Sequence, residues 1–76
     1  MNGQTLQERY VQLLLDRVRQ DPYPSPVQMD LIEATIRDSE QLVDYIEALL
    51  EKVESTRFPS LSMLRRIQRI ASILPG

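Results

Sequence analysis

The chain has 76 residues, 42% of them apolar, with 9 basic and 11 acidic side chains and a formal net charge of −2. It contains no Cys and no His, which excludes disulfide and thiol chemistry and removes the commonest general base together with the commonest zinc ligand. With 2 Gly residues there is little from which to build a phosphate-cradling loop.

The length fits one small domain, residues 1–76. No apolar run reaches the about 18 residues that a membrane-crossing helix needs. The start, Met1-Asn2-Gly3-Gln4-Thr5, lacks the basic and apolar regions of a secretory signal, so the expected location is cytoplasmic. Charge is unevenly spread. Residues 1–56 hold all 11 acids with five bases, whereas residues 57–76 hold four arginines and no acid. Such a split is either complementary within one fold or the mark of a binding face. The internal reading is the default for a compact bundle.

The first helix is predicted to start at Thr5, because Thr5-Leu6-Gln7-Glu8 has the form of a capping box. Leu6, Tyr10, Leu13, Leu14 and Val18 follow at helical spacing, with Val11 and Leu15 widening the stripe. Pro22 disfavours helical geometry at Asp21 and sets the end near Gln20. Three alternating prolines hold Asp21-Pro22-Tyr23-Pro24-Ser25-Pro26 extended. Ser25 is then the N-cap of a second helix, Pro26 its first residue, and Gln28 the partner of a second box. Tyr23 is placed to plug the end of the helix pair.

The second helix is predicted from Pro26 to Ile36 or Arg37. Met29, Ile32 and Ile36 are its buried line, Val27 and Leu31 its flanks, and Asp30 and Glu33 its outward face. Asp38 or Ser39 caps the third helix, which runs to about Glu54. Asp38 and Gln41 are the ends of a third box. Leu42, Tyr45, Ile46, Leu49, Leu50 and Val53 form its apolar face, opposite the acids Glu40, Asp44, Glu47, Glu51 and Glu54. After a second link, Ser60 caps the fourth helix. Leu61, Leu64, Ile67, Ala71 and Leu74 make one line on it, with Met63, Ile70 and Ile73 on others, before Pro75-Gly76 ends it.

Tyr23-Pro24-Ser25 returns as Phe58-Pro59-Ser60 at an offset of 35 residues. At the same offset Tyr10 pairs with Tyr45, Leu14 with Leu49, Leu15 with Leu50, Val18 with Val53 and Ile32 with Ile67. A shared helical period would match the leucines but not Tyr, Pro and Ser in register. The expectation is therefore all-α: a small four-helix bundle of two similar helix-link-helix hairpins, residues 5–37 and 39–74, with the first helix packed on the third. The period lies near the about 34 residues of tetratricopeptide units. The chain has no Trp and none of that family's packing pattern, and it is not assigned there.

No constellation for catalysis stands out. The carboxylates fall on predicted exposed faces, and Tyr10 and Tyr45 read as half-buried rings whose hydroxyls reach solvent or backbone. Neither a catalytic residue nor a cofactor or metal site is expected. The residues left over are a candidate interaction face on the fourth helix, Arg65, Arg66, Arg69, Ile70, Ile73 and Leu74, together with Leu15 and Leu31. These point to a small non-catalytic interaction or regulatory adaptor that binds a protein partner or itself. The alternative is nucleic-acid binding through Arg65, Arg66, Gln68 and Arg69 after a helix-turn-helix turn. The stiff link and the acidic chain count against it.

Overall fold

The computed structural model describes residues 4–74. Among them are four helices: α1 (Leu6–Gln20), α2 (Pro26–Thr35), α3 (Ser39–Ser55) and α4 (Leu61–Ala71). Each start is set by local chemistry. The Thr5 hydroxyl accepts from the Glu8 N–H at 3.1 Å, and the Glu8 carboxylate accepts from the Thr5 N–H at 2.9 Å. Asp38 caps α3, and the Ser25 and Ser60 hydroxyls cap α2 and α4. The second and third boxes do not close as expected. Gln28 gives the Ser25 cap its backbone N–H. The Gln41 side chain accepts instead from Arg37 N–H, one residue before the cap, at 2.9 Å.

A few cross-helix bonds show how the helices are oriented. Gln41 Nε2 donates to Gln7 Oε1, and Gln7 Nε2 donates to the Thr35 carbonyl. At the other end Lys52 Nζ donates to the Arg19 carbonyl. The starts of α1 and α3 therefore adjoin, as do their ends, so these helices run parallel, and α2 returns antiparallel to α1. As expected, α1 packs on α3; it also packs on α2, and α3 packs on α4. The result is a small helical bundle in two layers. Its extents are 42 × 28 × 19 Å, and the shortest matches about two helix diameters.

The core is Val11, Leu14, Leu15, Val18, Met29, Ile32, Tyr45, Ile46 and Leu49 with Ile67 and Ile70. In α1 the expected stripe is rotated: Leu6, Tyr10 and Leu13 are exposed. In α4 the rotation is larger. Leu61, Leu64 and Ala71 face solvent, and the inward line is Met63, Ile67, Ile70 and Leu74 with Arg66 beside it. Both lines have helical spacing, so periodicity alone does not choose between them. α4 also ends sooner than expected, at Ala71, and Ser72–Leu74 continue as turns. The expected Pro75-Gly76 stop lies outside the described residues.

Candidate functional site

The two links begin and end on extended residues. Asp21 and Thr56 leave their helices extended (φ −89°, ψ 117° and φ −105°, ψ 130°), and Ser25 and Ser60 enter the next extended (φ −72°, ψ 154° and φ −65°, ψ 132°). Because α1 and α3 are parallel, both links lie at one pole. There they line a single apolar groove of about 180 Å³, with Tyr23, Pro24 and Met29 from one hairpin and Phe58, Pro59 and Met63 from the other. The prolines fix the backbone that presents the rings.

The rings do not plug the helix ends. Tyr23 is 82% and Phe58 84% exposed, and it is Pro24 that is buried. A plug needs side-chain reach toward the core, and the extended links aim these rings away from it. Large aromatic surface is costly to leave in water, so paired exposed rings beside a groove are the feature that stands out. Lys52 and Val53 of α3 contribute to the wall.

A second cluster lies between α2, α3 and α4. Arg66 Nη1 donates to Glu33 Oε2 at 2.6 Å and to Asp30 Oδ1 at 2.8 Å, and Arg69 Nη2 reaches Glu33 Oε1 at 3.4 Å. The Tyr45 hydroxyl donates to Glu33 Oε2 at 2.5 Å. Arg66 and Glu33 are 10% and 19% exposed in their side chains, so Glu33 does not face outward as expected, whereas Asp30 does. Burial, and then the Glu33 carboxylate that accepts its proton, push the Tyr45 hydroxyl above the ordinary tyrosine range. Burial pulls the Arg66 guanidinium down, but hydrogen bonds to Glu33 and Asp30 more than offset it and hold the group charged. Arg66 Nε is buried without a partner.

This arrangement corrects three expectations. Tyr45 is buried with its hydroxyl on a side-chain carboxylate, unlike Tyr10, which is exposed. Glu33, expected on the outward face of α2, is drawn inward by Arg66 and Tyr45. The six residues expected to form one face of α4 do not lie together on the surface. Arg65, Arg69 and Ile73 are exposed, Arg66 is in the network, Ile70 is in the core and Leu74 packs against it.

The groove was partly legible in the sequence. The repeated motif marks the two links, but their meeting at one pole depends on α1 and α3 being parallel. At the opposite pole a depression is lined by Glu8, Asp38, Glu40 and Asp44. Among the described residues no group of three or more acidic, His or Cys side chains could hold a metal ion, and no helix is long and apolar enough to cross a membrane. Comparison with family models, with curated proteins and with solved structures finds no match for this chain.

Proposed function

We propose that this is a non-catalytic protein-interaction module and that the groove between its two links is the seat of binding. The observation that carries the reading is the pair of exposed rings, Tyr23 and Phe58, set by proline-fixed links around one apolar concavity. At about 180 Å³ the groove is smaller than the about 300–1,000 Å³ of small-molecule sites. It suits a single large apolar side chain from an extended segment of another protein. Aromatic- and proline-walled grooves favour such segments because little chain entropy is lost on docking. The same reading takes the two hairpins as copies of one unit, supported by the Tyr/Phe-Pro-Ser motif recurring at an offset of 35 residues. Nucleic-acid binding ranks second, since α4 offers solvent Arg65 and Arg69 but not Arg66.

The test is a methyl-detected NMR titration with blocked proline-flanked hexapeptides carrying a central Leu, Phe or Trp. The Met29 and Met63 methyls should shift with at least one peptide, and a Tyr23→Ser/Phe58→Ser variant should abolish the shifts. Methyls unmoved at millimolar peptide would overturn the assignment.

A further inference from the structure

Positions 35 residues apart are not equally buried, and the inequality has a direction. Leu15 is 0% exposed and its counterpart Leu50 40%, whereas Tyr10 is 43% exposed and its counterpart Tyr45 0%. Met29 and Leu64 behave like the first pair, Leu13 and Ala48 like the second. The first hairpin thus buries one face against the second, and the second buries the opposite face against the first. A two-fold pair would bury the same face on both. This contact is instead head-to-tail, which leaves an unused face at each end: Tyr10, Leu13 and Leu31 on the first hairpin, Leu50 and Leu64 on the second.

We propose that these two end faces bind one another between copies of this chain, repeating the hairpin-to-hairpin contact made within it. The cross-hairpin bonds supply the check, since moving each by 35 residues gives the pair that two stacked copies would form. Tyr45–Glu33 becomes Tyr10 with Gln68, a hydroxyl and an amide that can hydrogen-bond. Lys52 on the Arg19 carbonyl becomes Arg17 beside Glu54, opposite charges that are both exposed. Gln41–Gln7 becomes Leu6 with Leu42, and Arg66–Glu33 becomes Leu31 with Gln68. None of these pairs sets like charges together, and the buried ion pair has no counterpart. Arg66–Asp30 becomes Leu31 with Arg65, at a position where Asp30 is 67% exposed, so that charge stays in water and the end faces meet without the buried ion pair that is the expensive part of the internal contact. A head-to-tail contact that does not close on itself grows by addition, as stacked repeat units do.

Analytical ultracentrifugation tests this. The weight-average mass of the wild type should rise with concentration past twice the 8.8 kDa of one chain. Leu13→Glu blocks one face and Leu64→Glu the other. Both residues are exposed, so the helical circular-dichroism signal should stay unchanged. Each variant alone should be monomeric, and an equal mixture should give a one-to-one dimer through the two intact faces. If either variant fails to fold, Leu31→Glu and Leu50→Glu replace the pair. A wild type that stays monomeric to millimolar concentration overturns the proposal. So does either variant dimerising alone, the outcome for a two-fold dimer, or a mixture that fails to dimerise. Tyr23→Ser/Phe58→Ser should assemble like the wild type, which keeps this result separate from that of the groove.

Discussion

The first hairpin, α1 and α2, and the second, α3 and α4, carry similar residues at matching positions yet use them differently. Leu15 and Leu50 are the same residue at the same place in each motif, and only Leu15 is core. Tyr45 is buried on Glu33, while Tyr10 stands at the surface. Side-chain identity thus states what a position can bury. Which neighbour lies alongside decides whether it does. Each hairpin has one face covered by the other and one face exposed, and the matching positions fall on different sides of that division.

The widest gap should come from the leucines. Leu15→Ala should cost about 2–5 kcal/mol, as for a fully buried aliphatic. Leu50→Ala should cost below about 1 kcal/mol. Urea unfolding at low protein concentration measures both, and equal losses would break the comparison. Next is the ion pair between the hairpins, whose arginine comes from the second and has Leu31 at the matching position of the first. Arg66→Ala strands a partly buried Glu33 carboxylate and should cost about 2–3 kcal/mol, below the about 3–5 for a fully buried pair. Leu31→Ala, at the matching position, should stay under about 1 kcal/mol.

The tyrosines sharpen the contrast through pH. Tyr45→Phe removes a donor from Glu33 and should cost about 1–2 kcal/mol, whereas Tyr10→Phe should be near neutral. Because the folded Tyr45 hydroxyl titrates above its ordinary range, the fold keeps a proton that the unfolded chain gives up near pH 10. That contribution is complete below about pH 10 and declines as pH rises beyond it. Thermal scans from pH 8 to about 11 should show the alkaline loss reduced in Tyr45→Phe and retained in Tyr10→Phe. The smallest effect is a predicted equality. Ser25→Ala and Ser60→Ala each remove one N-cap bond and should each cost about 1 kcal/mol. Unequal losses would show that the links differ despite their shared motif.

Much of the fold could be read from residues acting on near neighbours. Thr5, Ser25, Asp38 and Ser60 set the helix starts because a cap bonds three residues ahead, and the prolines set the links. The orientation of α4 could not be read this way. Met63–Ile67–Ile70–Leu74 and the expected line Leu61–Leu64–Ile67–Ala71–Leu74 both have helical period, and Arg66, beside the first, is a residue type seldom buried. Its burial makes sense only once Glu33, 33 positions earlier, is known to face it. The candidate site divides similarly. Tyr23 and Phe58 were singled out as a motif, but the groove they share depends on α1 and α3 being parallel.

Only Ile36, Arg37 and Asp38 separate α2 from α3. So short a tether holds the two hairpins at a high effective concentration, about millimolar or above. The internal contact therefore forms even if its intrinsic affinity is modest, and it can bear the cost of desolvating Arg66 and Glu33. A contact between separate chains has no such help. Lengthening the joint by a flexible insert would weaken hairpin docking in proportion to the dilution, without altering a single residue of the surfaces that meet.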